Sequence, residues 1–453
     1  MVLLQHSKEY AYTRMSTPQL PQRTSVFDRL PNTILIIHAF FGGDKYKGIS
    51  MAGSITSDRS GPMSKAYNIE DLRIMAKRRL PKVIFDYLDG GADDEVTLRN
   101  NREAFSEYSL NSKMLVDVSD VSTVTTVLGE QISSPLILSS TGANRMFHTD
   151  GELAAAHAAS DAGTVFATAS TAMTSLEDVA AAGTGPKWFQ LYPWKDRGVM
   201  LEHMQRCKEA GYSAMMLTID CATSGNRERD FYNGFGFPMK MTPRRILDGI
   251  LHPAWTWSYL TSKPMSFPNI ESLFRDNDDT SSIVQWFGEQ LDCSFNWRDA
   301  EEIRSKWEGP FIIKGLTTAD DARNAADIGA SAVVVSNHGG RQLDQAPSPL
   351  EVLPEVVEAV GDKLEVFADS GFRRGTDVIK ALAMGAHAVL IGRPYLYGLS
   401  AGGRAGVARA LELLQTEIIR DMKLMGLCNV TEITPDCLRK RTEQRTASPS
   451  LIL

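Results

Sequence analysis

Short apolar runs and Ala-rich stretches alternate along the chain from about residue 135 to residue 393. The apolar runs are rich in Val, Ile, Leu and Phe, which predicts buried strands, and the stretches between them have helical spacing. Near-continuous apolar strands that alternate with helices indicate a parallel sheet covered on both faces. The predicted strands span 135–140, 165–170, 187–192, 214–220, 310–315, 332–337, 365–370 and 388–393. Eight parallel strands close well, so we predict an α/β fold, a (β/α)₈ barrel of the TIM type.

One connection in this alternation is much longer than the others. Residues 221–309 separate the fourth predicted strand from the fifth, and a structureless loop of that length would be unusual. We therefore interpret it as a functional insertion, either a lid or a docking segment. Its aromatic-rich part, Ile250–Leu260 (ILHPAWTWSYL), could cap a site, rest on a membrane surface or pack on the barrel rim. We expect packing on the rim.

The two ends of the chain lack this pattern. Residues 1–62 show no sustained period and carry many Ser, Thr, Pro and Gly, which predicts a disordered or targeting extension. Basic residues precede the apolar stretch Thr33–Gly42, so the targeting interpretation stays open. We place the barrel domain at 63–436 and a polar, basic tail at 437–453.

Composition and charge narrow the class of protein. Of the 453 residues, 43% are apolar and 23% charged, as in a globular protein with a large core, and the net charge of −7 gives no basic field for nucleic acid. The five cysteines are scattered without a C-x-x-C pair, which favours reduced thiols in a cytosol-like compartment. No apolar run is long enough to span a bilayer. We predict a cytoplasmic protein, with a mitochondrial or peroxisomal location left open, and no metal site.

Polar residues end the predicted strands, one strand after another. In a barrel of this type the carboxyl ends of the strands carry the chemistry, so these side chains point to one shared site. A single polar strand end is commonly a helix cap or a solvated loop, but a whole rim of them is hard to explain that way. These residues are Ser139, Ser140, Gln190, Tyr192, Thr218, Asp220, Lys314, Ser336, Asn337, His338, Asp369, Ser370, Gly392 and Arg393.

Two groups at this rim indicate a negatively charged cofactor. Lys314 follows an apolar strand, and a buried lysine needs an anion beside it, which is either an internal ion-pair partner or a reduced flavin. Small residues and arginines follow the last two strands, the usual phosphate position in such barrels. The phosphate candidates are Gly371, Arg373, Gly392 and Arg393.

A second group indicates an anionic substrate that loses a proton. His338 ends a strand beside a Gly-Gly turn, and Arg341 lies three residues further on. Histidine accepts a proton near neutral pH and arginine binds carboxylate, while Asp220 could pair with the imidazolium. Arg227, in the loop after the fourth strand, offers a second carboxylate contact.

These motifs resemble the FMN-dependent 2-hydroxy acid dehydrogenase and oxidase family, which includes glycolate oxidase, lactate oxidase and mandelate dehydrogenase. The resemblance runs from about Asn68 to Asp436, and its strongest motif is SNHGGRQLD at 336–344. It implies that His338 is the catalytic base, that Asp220 is its partner and that Arg341 binds substrate. The other matching motifs are FDYLDGGADDEVTL (85–98), FQLYPWKDR (189–197), LTID (217–220), SGNRERD (224–230), IIKG (312–315), DSGFRRGTD (369–377) and IGRP (391–394).

The resemblance also implies which residues hold substrate and cofactor. Substrate contacts are implied for Tyr87, Tyr192, Arg227 and Arg341. FMN contacts are implied for Ser139, Ser140, Thr141, Gly142, Ala169, Gln190, Thr218, Lys314, Ser336, Asp369, Gly371, Arg373, Gly392 and Arg393. Members of the family often form tetramers, which implies a homo-oligomer here.

Six positions depart from the family pattern. The usual Ala-Pro-Thr after the first strand is Ser139-Ser140-Thr141, and the next residue is Gly142 where many oxidases have Ala. Ala169 stands where the family has a flavin-contacting serine, and Ser370 replaces the first of two glycines. Thr171 stands where glycolate-type members have an aromatic residue, so we expect a bulkier substrate than glycolate.

We therefore predict FMN-dependent oxidation of an L-2-hydroxy acid to the 2-keto acid, with oxygen or another redox partner as the final acceptor. Two alternatives stay open from the residues. One is a barrel that binds FMN or a phosphate-bearing ligand without catalysis, and the other is a flavoenzyme resembling type-2 isopentenyl diphosphate isomerase. The latter would not need His338 and Arg341 together with Arg227.

Overall fold

The computed structural model describes residues 62–236, 242–273 and 283–441. Almost all of the predicted N-terminal extension, and the predicted tail from residue 442 onward, lie outside the described residues. The strands are β1 (Tyr108–Leu110), β2 (Thr125–Val127), β3 (Glu130–Ile132), β4 (Leu136–Leu138), β5 (Phe166–Ala169), β6 (Lys187–Leu191), β7 (Ala214–Thr218), β8 (Phe311–Leu316), β9 (Ala332–Val335), β10 (Glu365–Ala368), β11 (Ala388–Ile391) and β12 (Leu438–Lys440).

The strands β4 to β11 form a closed barrel in which every neighbouring pair is parallel. The eight strands lie around the barrel in chain order, and the pairing of β11 with β4 closes the ring. The observed strands fall within one or two residues of the eight predicted ones. The predicted (β/α)₈ barrel is therefore confirmed.

Helices surround the barrel and connect its strands. The first of them begins after Asn68, whose side chain accepts a hydrogen bond from the backbone N–H of Asp71 at 3.0 Å, so the helix end is capped. The α-helices are α1 (Ile69–Arg79), α2 (Lys82–Asp89), α3 (Val96–Glu103), α4 (Gly151–Asp161), α5 (Leu176–Ala181), α6 (Arg197–Ala210), α7 (Glu228–Asn233), α8 (Pro243–Leu251), α9 (Pro253–Thr261), α10 (Ile283–Gln290), α11 (Trp297–Ser305), α12 (Ala319–Asp327), α13 (Pro349–Val360), α14 (Gly375–Ala383) and α15 (Arg393–Met425). Short 3₁₀ helices lie at Pro62–Lys65, Ala104–Glu107, Asn144–Met146, Glu271–Leu273, Val430–Glu432 and Pro435–Cys437.

The barrel interior contains a layer of apolar side chains to which all eight strands contribute, with further small apolar residues below it. The β2–β3 hairpin adds Val127 and Ile132 to this inner cluster, and Leu128 N–H donates to the Glu365 carboxylate at the start of β10. The hairpin therefore closes the amino end of the barrel and leaves the carboxyl end for a site. The inner layer consists of Ile137, Ala167, Trp188, Met216, Ile312, Val334, Phe367 and Leu390.

The predicted insertion between β7 and β8 is confirmed and contains α7 to α11. The expectation that its aromatic stretch packs on the rim was right for only part of it. The indole N–H of Trp255 donates to the Met146 carbonyl at 2.8 Å, and Tyr259 stacks on Trp255, but Trp257 and Leu260 are each 71% exposed. The reason is that α9 buries only Trp255, and α8 buries none of its residues.

The predicted boundary of the C-terminal tail was placed too early. Residues 438–440 form β12, which pairs antiparallel with β1. The polar side chains of this segment misled the prediction because an edge strand can carry polar residues when backbone hydrogen bonds hold it. In addition, none of the described helices, including α15 with its kink at Gly402 and Gly403, is both long and apolar enough to cross a membrane.

Candidate active site

The next inward-facing position above the apolar layer forms a ring at the carboxyl end of the barrel. Side chains alternate along a strand, so the residue two positions beyond each inner-layer residue faces the same way. Applied to each residue of the inner layer, this rule locates a second ring of inward-facing residues, most of which are polar. Its members are Ser139, Ala169, Gln190, Thr218, Lys314, Ser336, Asp369 and Gly392. All eight were predicted cofactor contacts.

Lys314 is the cation of this ring and is almost completely buried. Its Nζ lies 2.9 Å from Asp369 Oδ2 and donates to Ser336 Oγ at 2.8 Å. Burial alone would lower the pKa of Lys314, but the carboxylates of Asp369 and Asp220 hold it above its ordinary value. The lysine is therefore charged at neutral pH, and the internal ion pair considered as the alternative to a flavin contact is present.

His338 is held in one orientation at the end of β9. Its Nδ1 lies 3.0 Å from Asp220 Oδ1 at the end of β7, which leaves Nε2 as the nitrogen available to a substrate. Burial would raise the pKa of the Asp220 carboxyl, but His338 and Lys314 hold it below its usual value. The pair therefore consists of an ionised carboxylate beside an imidazole, an arrangement suited to proton transfer.

The backbone of His338 adopts a conformation that is unusual for a non-glycine residue. Its φ of +57° is followed by +66° at Gly339 and +72° at Gly340. Ser336 Oγ accepts from the His338 N–H at 3.1 Å, and Ser370 Oγ accepts from the Gly339 N–H at 3.0 Å. Strained backbone of this kind is kept where the surroundings fix it, commonly at functional sites.

Two arginines lie around the ring of Tyr87. The guanidinium carbon of Arg341 is 5.0 Å from the ring centre and that of Arg227 is 6.0 Å away. Arg341 Nη1 donates to the carbonyls of Tyr87 and Gly90, at 2.8 and 3.1 Å. Burial, with repulsion from Arg227, lowers the pKa of Arg341. Two neighbouring cations of this kind are stabilised by an anion that binds between them.

At the predicted phosphate end of the site, segments of backbone lie very close to one another. A Cβ on Gly371 would lie 1.9 Å from the Asn101 carbonyl, and its φ is +89°, so only glycine fits. Arg373 is 8% exposed, and its Nε is buried without a hydrogen-bond partner. Arg393 donates to the carbonyls of Leu88, Gly90 and Gly339 and lines the same cavity as Arg373, so its phosphate contact stays a prediction.

The loop after β4 depends on residues that the sequence analysis did not identify. Glu152 is fully buried and accepts from the N–H groups of Asn144 and Met173, at 3.1 and 3.0 Å, and from the Thr174 hydroxyl. It thereby ties the loop after β4 to the loop after β5. Burial raises the pKa of Glu152. No signal in the sequence indicates this role, because Glu152 is an ordinary acidic residue in the first turn of the Ala-rich α4.

The same loop determines the space near the front of the site. A Cβ on Gly142 would lie 2.3 Å from Thr171 Oγ1, so a side chain at 142 requires movement of Thr171. Both residues line the cavity that also contains Lys314, His338 and Arg341. The outer wall of this cavity is apolar and consists of Met146, Phe147, Phe235, Phe267, Ile270, Trp286, Phe287 and Leu291.

The ring fits the FMN that the resemblance implies. Thr218 Oγ1 and Arg373 Nε are buried without hydrogen-bond partners in the described part of the chain, which is expected where a polar ligand completes the site. Ala169 offers no polar atom at the position of the family's serine, whereas the Oγ of the neighbouring Ser170 is buried and has no hydrogen-bond partner among the described residues.

Comparisons with known proteins agree with this site. The sequence pattern of the FMN-dependent dehydrogenase family matches residues 76–440. A protein of Mycobacterium tuberculosis (strain ATCC 25618 / H37Rv) named "Putative L-lactate dehydrogenase" is 40% identical over 388 residues, which are 85% of this chain and 92% of that protein.

Solved structures give the same result. The crystal structure of the monotopic membrane protein (S)-mandelate dehydrogenase matches with a TM-score of 0.79 and 39% identity, over 83% of this chain and 100% of that one. A soluble mutant of the membrane-associated (S)-mandelate dehydrogenase from Pseudomonas putida matches with a TM-score of 0.71 and 38% identity, over 83% and 100% of the two chains. The chain therefore belongs to the FMN-dependent dehydrogenase family and is an FMN-dependent oxidoreductase that acts on the CH–OH group of 2-hydroxy acids.

Proposed function

We propose that the enzyme oxidises an L-2-hydroxy acid with a bulky apolar side chain to the 2-keto acid, with His338 as the base. The observation that carries the proposal is the single cavity shared by His338, Arg227 and Arg341. A base beside two carboxylate-binding cations is the arrangement that a hydroxy acid requires.

Each residue has a role that follows from its contacts. Arg227 and Arg341 bind the substrate carboxylate, which orients the hydroxyl group toward Tyr87 and Tyr192 at the same wall of the cavity. His338 Nε2 takes the proton from the substrate. Because Nδ1 bonds to Asp220, the carboxylate stabilises the imidazolium that forms.

FMN, when bound, supplies the acceptor for the two electrons that leave the substrate. The ring of strand-end residues would hold it, with Lys314 providing fixed positive charge beside it. Gln190, Thr218 and Ser336 are the inward polar neighbours. Arg373, with its unpartnered Nε, is the residue best placed for the phosphate.

The preference for a bulky side chain rests on the apolar outer wall. Phe235, Ile270 and Trp286 are each less than one tenth exposed and face the cavity. Phe235 stacks on Tyr87 with ring centres 4.2 Å apart, which fixes the wall against the substrate end of the site. A small acid such as glycolate would leave this wall without contacts. An aromatic or branched acid would bury apolar surface there, at about 25 cal/mol per Å².

Anaerobic mixing of the purified yellow protein with a panel of L-2-hydroxy acids tests the proposal. We expect the flavin absorbance to bleach fastest with an aromatic acid, more slowly with lactate and least with glycolate. Admission of air afterwards shows whether oxygen is the acceptor or another redox partner is needed. If no 2-hydroxy acid bleaches bound FMN, the barrel binds the cofactor without this chemistry. Equal rates for glycolate and the aromatic acid would remove the role of the apolar wall.

We further propose that the enzyme rests on a lipid surface through α8 and α9. The exposed apolar side chains of the two helices recur at helical spacing, and Arg244 and Lys263 are exposed beside them. An amphipathic face of this kind is typical of helices that lie in the membrane interface. Both mandelate dehydrogenases named above are described as membrane proteins or membrane-associated. The exposed side chains are Ile246, Leu247, Ile250, Leu251, Trp257 and Leu260.

Co-sedimentation with vesicles of phosphatidylcholine and phosphatidylglycerol tests this surface. We expect the wild-type protein to sediment with the vesicles, and the combined Ile250→Ser, Leu251→Ser and Trp257→Ser variant to stay in solution. Leu424→Ser is the matched control, because Leu424 is 67% exposed on a different helix. Equal sedimentation of the triple variant would exclude α8 and α9 as the contact.

A further inference from the structure

Three metal-ligating atoms lie together on the Asp220 side of His338. Cys221 Sγ is 3.3 Å from Asp220 Oδ1 and 3.6 Å from His338 Nδ1, and the last two atoms are 3.0 Å apart. Cys221 and His338 line the cavity, so an ion can reach them from solvent. The reaction proposed above gives Cys221 no role, and the sequence analysis predicts no metal site.

The distances match those of a tetrahedral zinc-type site. Zinc lies about 2.0–2.3 Å from oxygen, nitrogen and sulfur ligands, which places tetrahedral ligands about 3.3–3.6 Å from one another. The observed separations of 3.0, 3.3 and 3.6 Å need only a few tenths of an ångström of adjustment. The remaining position is left for water, as in sites with three protein ligands.

The charges also suit a divalent cation. A thiolate, a carboxylate and a neutral imidazole carry two negative charges in total, which one divalent ion neutralises, while the nearby cations Lys314 and Arg227 oppose its binding. Asp220 Oδ2 is buried without a hydrogen-bond partner in the described part of the chain, so this carboxylate has an oxygen to spare. Binding of the ion displaces the proton of the Cys221 thiol, because the thiolate is the form that ligates a metal.

We propose that Asp220, Cys221 and His338 bind a soft divalent cation such as Zn²⁺ or Cd²⁺, and that its binding inhibits the enzyme. The ion binds Asp220 Oδ1 and His338 Nδ1 and so replaces the hydrogen bond between these two atoms. It also places positive charge beside the base. The inhibition, though not the binding, rests on the proposed function of His338. Soft thiolate and borderline imidazole ligands favour such ions over Mg²⁺ or Ca²⁺, which prefer oxygen.

Titration of the holoenzyme with CdCl₂ tests the binding independently of turnover, because a cadmium–thiolate bond has its own ultraviolet absorption band. We expect one Cd²⁺ per chain with this band in the wild type, and no band in Cys221→Val, which keeps nearly the same volume. Cys293→Ser removes an exposed thiol instead and is the matched control, so it should keep the band. Flavin absorbance reports in each case whether the variant is folded with FMN bound.

Inhibition is measured with ZnCl₂, each variant being compared with its own metal-free rate. Loss of one ligand should raise the Zn²⁺ concentration for half-inhibition by at least about 10-fold in Cys221→Val, and not in Cys293→Ser. A cadmium band that survives in Cys221→Val would overturn the site. Cadmium binding at Cys221 without inhibition by zinc would overturn the inhibitory role, and it would count against the Asp220–His338 pair in catalysis. If no 2-hydroxy acid is turned over, the cadmium titration still decides the site.

Discussion

The ammonium of Lys314 lies 2.9 Å from Oδ2 of Asp369, and both side chains are less than one tenth exposed. The two residues come from β8 and the end of β10, and both strands pair with β9, so this shared neighbour brings them together. Because Asp369 already holds the Lys314 ammonium in place, the side chain does not have to move when negative charge develops on a ligand beside it. The pair therefore gives the site a fixed electrostatic field.

Replacement of Lys314 by Met should destabilise the protein strongly, because it leaves the buried Asp369 carboxylate without its partner. Removal of one member of a buried ion pair typically costs about 3–5 kcal/mol. Urea unfolding in saturating FMN measures the change. The double variant Lys314→Met, Asp369→Asn should recover part of the loss, since it removes both charges. A double variant less stable than Lys314→Met would contradict this account of the pair.

Replacement of His338 by Ala should slow flavin reduction by at least about 10²-fold, as expected for loss of a general base. Anaerobic stopped-flow mixing with the preferred acid measures it directly. Asp220→Asn should give a smaller loss, because the amide can still bond to Nδ1 but does not stabilise the imidazolium. His157→Ala, on the barrel-covering helix α4, is the control and should reduce at the wild-type rate. An undiminished rate in His338→Ala would remove the residue from this role.

Much of the fold and site could be predicted because both follow from the period of strands. An apolar position followed two residues later by a polar one, repeated on successive strands, places Thr218, Lys314, Ser336 and Asp369 in one ring. The pairing of His338 with Asp220 was also predictable, since parallel strands end at the same rim. Neither inference required knowledge of distances.

The parts that were missed depend on contacts between distant segments. Glu152 lies on a helix, and nothing in the helix indicates that it accepts bonds from two strand-end loops. The hydrogen bonds from Arg393 to the carbonyls of Leu88 and Gly90 were not predicted, because these carbonyls lie about 300 residues away in the chain. The exposed face of α8 was missed because the apolar pattern does not state which side the barrel covers.

Replacement of Arg341 by Met should weaken substrate binding about 10–100-fold while FMN stays bound, since a hydrogen bond to a charged group contributes about 1.5–3 kcal/mol. The substrate dependence of flavin bleaching measures the effect. Arg341→Lys should also bind poorly, because an ammonium cannot replace the paired N–H groups of a guanidinium. Arg206→Met, on the surface helix α6, should leave saturation unchanged. Normal saturation in Arg341→Met would exclude the assigned carboxylate contact.

His203 should make the protein less stable as the pH falls below about 6.5, the ordinary pKa of histidine. The residue is fully buried, and its Nε2–H donates to the Asn269 carbonyl at 2.6 Å. Burial lowers the pKa of His203, and nearby Arg206 lowers it further, while the carbonyl of Asn269 and the carboxylates of Glu202 and Glu177 oppose the change. The folded protein therefore binds fewer protons here than the unfolded chain.

The stability from this histidine is thus present above pH 6.5 and is lost on acidification, by at most about 1.4 kcal/mol per pH unit. His203→Gln keeps an N–H donor for Asn269 but does not titrate, so its melting temperature should fall less steeply between pH 7 and pH 5. Because the other groups titrate in both proteins, their contributions to the pH dependence cancel when the two slopes are compared. Asn269 lies in the insertion, so loss of the hydrogen bond between His203 and Asn269 should also loosen the cavity wall around Ile270. Parallel slopes for the two proteins would show that His203 is protonated equally in the folded and unfolded states.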